Sequence, residues 1–225
     1  MGQGAFITFE GGEGAGKSTQ IERLSRRLKE LPVDVVVTRE PGGSPKAERI
    51  RRELLEGRSR RYGALAEALL FCSARMDHLA TIIRPALESG AVVLCDRFSD
   101  STRAYQGARG AVDETVLKAL ERVIVEGTRP DLTFILDIPS EIGLARAAER
   151  RGSQGGQHDR FEAEEEGFHR ELRNRFRAIA EAEPDRCALI DASLDQDAVE
   201  QLIWKILVDR PPAALSKHKR WRRAP

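Results

Sequence analysis

The sequence predicts an α/β fold, a five-stranded parallel sheet with helices on both faces. Three observations predict it. Short apolar, β-branched runs alternate along the chain with segments whose apolar residues recur every three or four positions. A glycine-rich loop separates the first such run from the first helical segment. Arg39-Glu40, Asp96-Arg97 and Asp191 fall where strands end, which is where ligands bind on an open parallel sheet.

The elements follow in order. Ala5-Phe6-Ile7-Thr8-Phe9 reads as a buried strand, and Ile21, Leu24, Leu28 and Leu31 form one stripe of an amphipathic helix. Asp34 to Thr38 is a second strand that runs into the turn Arg39-Glu40-Pro41-Gly42-Gly43. A helix follows around Ile50, Leu54 and Leu55. A longer one runs from Leu65 through Leu69, Leu70, Met76 and Leu79 and ends near Pro85. Ala91 to Asp96 is the third strand. Val116, Leu120, Val123 and Ile124 give another helical stripe, and Leu132 to Asp137 is the fourth strand. A helix over Ile142 to Arg151 stops at Gly152, where a glycine-rich stretch to His158 breaks all periodicity. Phe168, Leu172, Phe176 and Ile179 restore a helix. Cys187 to Asp191 is the fifth strand, and Val199, Leu202, Ile203, Ile206 and Leu207 mark the last helix.

Composition bounds the partners. With 225 residues, 40% hydrophobic and 32% charged, the chain suits one globular α/β domain with a core of its own. A net charge of +1 supplies no global field for nucleic acid. Cys72, Cys95 and Cys187 sit in apolar segments without metal-ligand spacing and read as free thiols of a reducing compartment. With no signal peptide and no apolar run of membrane-spanning length, the expected place is the cytoplasm, with no membrane partner. Lys217, Lys219, Arg220, Arg222 and Arg223 make residues 211–225 a basic tail, expected to be disordered.

The loop itself, Gly11-Gly12-Glu13-Gly14-Ala15-Gly16-Lys17-Ser18, matches G-x-x-x-x-G-K-[ST]. Lying between a strand and a helix N-terminus, it fits a phosphate cradle, and the fold becomes a P-loop NTPase type. Lys17 would reach the β- and γ-phosphates, and Ser18 would ligate Mg²⁺. No D-x-x-G turn or N-K-x-D guanine reader accompanies it, since the only asparagine is Asn174. Asp-Arg at a strand end, with many arginines after the fourth strand, favours phosphoryl transfer to a small phosphorylated acceptor. A deoxynucleoside kinase and an ATP-binding regulatory module without turnover are the alternatives.

From about Ala5 to Leu207 the chain resembles the bacterial thymidylate kinases. The resemblance rests on Phe9-Glu10 leading into the loop and Thr19 closing it, Arg39-Glu40-Pro41-Gly42-Gly43, Leu70-Phe71-Cys72-Ser73-Ala74-Arg75, and Asp96-Arg97-Phe98. It rests also on Ser101-Thr102-Arg103-Ala104-Tyr105-Gln106-Gly107, Pro130-Asp131-Leu132-Thr133 and Asp159-Arg160-Phe161-Glu162. It implies Mg-dependent transfer from ATP to dTMP by one domain over residues 1–210, with a mobile lid at about 146–162, in a homodimer. ATP would lie on Gly11, Gly12, Glu13, Gly14, Ala15, Gly16, Lys17, Ser18 and Thr19, with Ser18 and Asp96 at the metal. Phe71 would stack on the base, Arg75 would bond a ring carbonyl, and Thr102 and Gln106 would read the base edge. Tyr105 would lie against the deoxyribose, Arg97 and Arg51 would hold the acceptor phosphate, and Glu13 would face the 3′-hydroxyl. Glu40 and Pro41 would form a turn at the acceptor, with a cis peptide between them.

The chain also departs from the family. Arg103 stands where relatives often carry Leu or Gln, and the lid is longer and richer in glycine. Gly14 occupies a loop position where some relatives carry an arginine. The catalytic charge is therefore expected from Arg150 and Arg160, with Arg146 and Arg151 nearby.

Overall fold

In the computed structural model, which describes residues 4–108, 112–154 and 161–216, five strands form one parallel sheet of order β2-β3-β1-β4-β5. They are β1 (Ala5–Gly11), β2 (Val35–Arg39), β3 (Val92–Asp96), β4 (Leu132–Asp137) and β5 (Cys187–Asp191). β1 lies at the centre and is buried along its whole length, as a strand covered on both faces must be. Its pairing brings Phe9 opposite Asp96 on β3 and Gly11 opposite Leu136 on β4. The register of β2 on β3 sets Arg39 beside Asp96. Four of the charged and glycine-rich strand ends thus converge on one edge of the sheet.

Among the described residues ten α-helices surround it: α1 (Lys17–Leu28), α2 (Pro45–Leu55), α3 (Gly63–His78), α4 (Arg84–Glu88), α5 (Ser99–Ala108), α6 (Glu114–Val125), α7 (Ser140–Gln154), α8 (Glu166–Ala182), α9 (Gln196–Asp209) and α10 (Ala213–Ser216). α1 starts from Gly16 in the left-handed region (φ 86°) with no acidic residue in its first turn. Its amide dipole is left for an external anion. Ser44 caps α2 by accepting from the Ala47 amide, and Asp195 caps α9. Ile21, Leu24 and Leu28 of α1 pack with Val199, Ile203 and Leu207 of α9 on one face of the sheet. Tyr105, Leu172, Phe176 and Ile179 build a second cluster from α5 and α8, and Phe6, Leu79, Ile83 and Phe98 a third.

Several expectations are corrected. The long helix does not stop near Pro85. A wider π turn over Leu79–Ile83 leads directly into α4, which carries Pro85, and the wider turn accommodates a residue with no amide to donate. α7 continues through Gly152 to Gln154. α6 is where the stripe placed it but shows another face. Leu117 and Val125 are buried, while Val116 and Val123 are 40% and 70% exposed. α5 had no periodic signal at all. The start of the basic tail is also ordered: α10 seats Leu215 in the first cluster, 1% exposed. Residues 217–225 and the lid's 155–160, Arg160 among them, lie outside the described residues.

Candidate active site

A cleft opens where α2, α3 and α5 meet the end of β1. Its walls include Glu13, Glu40, Pro41, Arg51, Phe71, Arg75, Arg97, Thr102, Tyr105 and Gln106, so every residue expected at the acceptor lines one space. Leu55, Phe98, Ser101 and Phe161 complete it.

The floor is a buried polar cluster. Arg75, 3% exposed, donates from Nε to Glu40 (2.7 Å) and from Nη2 to the Phe98 carbonyl (3.0 Å) and Thr102 Oγ1 (2.9 Å). His78 Nδ1 meets the other oxygen of Glu40 at 3.0 Å, and its Nε2 meets Thr38 Oγ1 at 2.7 Å. The relay fixes the guanidinium from behind, and sequence reasoning missed His78 entirely. The R-x-x-H spacing placed it one turn beyond Arg75, but only the path of β2 shows what it holds. The Glu40–Pro41 peptide is cis, and the Pro41 carbonyl accepts from Arg51 Nη1 at 2.7 Å.

One wall is aromatic. The Phe161 ring stands edge-on to Tyr105 at 5.1 Å between centroids and lies 6.4 Å from Phe71, which is half-buried. Phe161 reaches the cleft from beyond the glycine-rich stretch, so no local pattern could have placed it there. Beside this wall stands Gln106, 1% exposed, whose carboxamide oxygen and nitrogen both lack a partner among the described residues. Leaving a buried amide unmade costs about 1–3 kcal/mol, so such a group at a cleft wall is suited to a ligand's polar edge.

Arg97 joins the cleft to the phosphate loop. It holds a left-handed backbone (φ 67°), worth about 1–3 kcal/mol of strain in a non-glycine residue, as functional positions tolerate. Its guanidinium bonds the Gly11 carbonyl at 2.9 Å, Ser101 at 3.2 Å and Glu13 at 2.9 Å. Tyr105 also donates to Glu13. Burial pushes the Glu13 carboxyl up, but Arg97, Lys17 and the Tyr105 bond outweigh it and hold it down at about 2. Glu10, one residue before the loop, goes the other way. Burial and then the Asp100 charge raise it to about 7, while it accepts from the Phe98 and Ser101 amides (2.7 and 3.2 Å) and Ser101 Oγ (2.5 Å).

In the loop, Lys17 donates to the Gly12 and Gly11 carbonyls at 2.8 and 3.2 Å. Ala15 is buried under the loop, and Thr19 is half-buried in the first turn of α1. Ser18 Oγ donates to Asp96 at 2.7 Å, which brings together the two residues expected at the metal. No cluster of three or more His, Cys, Asp or Glu side chains suited to a metal occurs among the described residues. Two hard oxygens suit Mg²⁺, which takes its remaining ligands from phosphates and water. Gly14 (φ 65°) leaves no room for a side chain, since a Cβ there would come within 1.9 Å of the Gly143 carbonyl. The close approach of α7 thus explains the missing loop arginine.

The other arginines are placed less directly. Arg150 and Arg151 both pair with Glu162, Arg150 at 3.3 Å, and Arg146 bonds the Ala192 carbonyl. Arg103 turns away from the cleft toward Asp100 and Glu183, so it makes no contact with the base-reading wall. Asp191 closes its own turn by accepting from Ser193 and stays out of the cleft.

A family model described as thymidylate kinase matches residues 9–203. The thymidylate kinase of Nitrobacter winogradskyi is 58% identical over 208 residues, which cover 92% of this chain and 90% of its own. That of Rhodopseudomonas palustris is 60% identical over 204 residues, covering 90% and 88%. A crystal structure of thymidylate kinase from Ehrlichia chaffeensis is similar at a TM-score of 0.72 and 33% identity, covering 91% of this chain and 98% of that one. No helix among the described residues is long and apolar enough to cross a membrane.

Proposed function

The chain belongs to the thymidylate kinase family and is a dTMP kinase; from that premise we propose how its residues share the reaction. ATP lays its phosphates on residues 11–19, with Lys17 at the β- and γ-phosphates. Ser18 and Asp96 would hold Mg²⁺, which would supply charge neutralisation for the phosphates. In the cleft, Phe71 lies on the thymine, Arg75 donates to a ring carbonyl, and Thr102 and Gln106 read the base edge. Tyr105 borders the deoxyribose, Glu13 faces the 3′-hydroxyl, Arg97 and Arg51 hold the acceptor phosphate, and Glu40 with Pro41 supports Arg75 and Arg51.

A phosphate oxygen of dTMP attacks the γ-phosphorus, a new P–O bond forms, and the bond to the β-phosphate oxygen breaks with its electron pair leaving on ADP. The nucleophile is already ionised, so no general base is needed. Alignment and charge neutralisation carry the acceleration. Arg97 bridges loop and acceptor, and Arg150 and Arg160 add charge at the transferred group. The homodimer is supported by exposed apolar side chains on α3 and α6, and a cytoplasmic place by three buried free thiols.

One observation carries the acceptor reading: the buried, unpartnered carboxamide of Gln106 beside an aromatic wall. Gln106→Leu should lower kcat/KM for dTMP about tenfold or more and leave KM for ATP unchanged, because only acceptor contacts are lost. Its melting temperature should hold or rise, since an unsatisfied buried amide is removed. In a coupled ADP-release assay, Arg150→Ala should lower kcat with little change in KM for dTMP. Unchanged dTMP kinetics in Gln106→Leu would place the base elsewhere.

A further inference from the structure

The face of α5 turned away from the cleft carries Asp100 and Arg103, and the reaction gives them nothing to do. Asp100 is fully buried and takes a two-pronged bond from Arg186, at 2.7 and 2.9 Å. Arg186 also donates to Thr133 at 2.7 Å, and Thr133 bonds Thr8 at 2.7 Å, so the fork is tied to the start of β4 and the middle of β1. Arg103 returns to Asp100 at 3.2 Å and to Glu183 at 2.8 Å, and Glu183 takes Arg186 Nε at 2.9 Å. Four charged residues on two segments thus close a ring around one side of α5.

Buried ion pairs are a poor source of stability compared with apolar contacts of similar size, because both charges lose their water. What a planar fork supplies is a single geometry. The apolar contacts of α5 are few, since of its ten residues only Ala104, Tyr105 and Ala108 are apolar, and they pack toward α8. A second clamp sits at the helix start. Glu10 holds the Phe98 and Ser101 amides, next to Arg97.

We propose that Asp100 and Arg186 are positioning residues for acceptor recognition. Their fork fixes the rotation of α5 and so sets where Thr102 and Gln106 stand against the base, while the Glu10 clamp keeps Arg97 in place. The proposal rests on the reading that the cleft holds dTMP. The two clamps therefore separate in kinetics: loosening the fork weakens base recognition without moving the phosphate end.

Asp100→Asn keeps the shape and removes the charge. KM for dTMP should rise about tenfold and the preference for dTMP over dCMP should narrow, because small misplacement of a reading group is costly. KM for ATP and kcat at saturation should stay within about twofold. A lower melting temperature with unchanged KM for dTMP and unchanged base preference would make the fork purely structural and overturn the proposal. So would an equal loss in kcat and in both KM values. If Asp100→Asn does not fold, Arg186→Lys keeps the charge and loses the fork, and should shift KM for dTMP in the same direction by less. An unchanged KM there also overturns it. Wild type measured alongside separates the two claims: a wild type that does not prefer dTMP defeats the cleft reading, whereas a variant that keeps the wild-type preference defeats only this one.

Discussion

Lys17 shows how burial and neighbouring charge set the electrostatics of the phosphate loop. Burial first, and then the Arg97 charge, bring its ammonium down to about 8, although Asp96 and Glu13 pull the other way. Phosphates placed at Nζ would restore the ordinary high value. Binding of MgATP at pH 8 should therefore take up about half a proton, and the uptake should shrink toward pH 7, where the lysine is already charged. Calorimetry in buffers of different ionisation heat reads this directly, and a binding heat independent of buffer at pH 8 would contradict it. Single residues were legible to different degrees. Lys17, Ser18 and Asp96 follow from the loop and the strand end, and the pair Phe71 and Arg75 follows from its spacing once the family is seen. Arg103 was not legible, because a sequence shows its position on α5 but not that the acidic groups of Asp100 and Glu183 draw it to the far side. Gly14 needed α7 to explain it.

At the scale of elements, periodicity found helices whose apolar stripe meets the core and was blind where it does not. α5 buries Ser99, Asp100, Thr102 and Gln106, so its polar residues face inward and no stripe marks it. Only the family resemblance pointed there. α6 shows the complementary failure, since a stripe declares an apolar face without naming what covers it. Val116 and Val123 stay exposed, as do Leu65, Leu69 and Met76 on α3, which packs against α6 through Ala64, Ala68 and Leu117. Exposed apolar side chains on two neighbouring helices fit a face shared between two copies. Sedimentation should give about twice the 25.1 kDa of the chain, and Val123→Asp should halve it. A wild type that sediments at the mass of one chain at micromolar concentration would remove the dimer.

For the whole molecule, the alternation of strands and helices was enough to predict the parallel sheet, and the sheet determines where chemistry can occur. Strand order then does what no local pattern could. By setting β1 between β3 and β4, it brings the loop after β1 beside Asp96 and Arg97 after β3, with α5 following directly. The cleft closes only when Phe161 arrives from far along the chain, which is why the acceptor wall was the least legible part of the site. The central claim is that this cleft is built for a phosphorylated thymine deoxynucleotide: Gln106 for the base edge, Tyr105 for the sugar, Arg97 for the phosphate. Its most direct test is the rate of ADP release with MgATP over a panel of dTMP, dCMP, UMP and thymidine. dTMP should be fastest in kcat/KM, with dCMP, UMP and the unphosphorylated nucleoside each at least about a hundredfold slower, because each leaves buried polar or charged groups unpaired. Faster turnover of dCMP or of thymidine than of dTMP would contradict it.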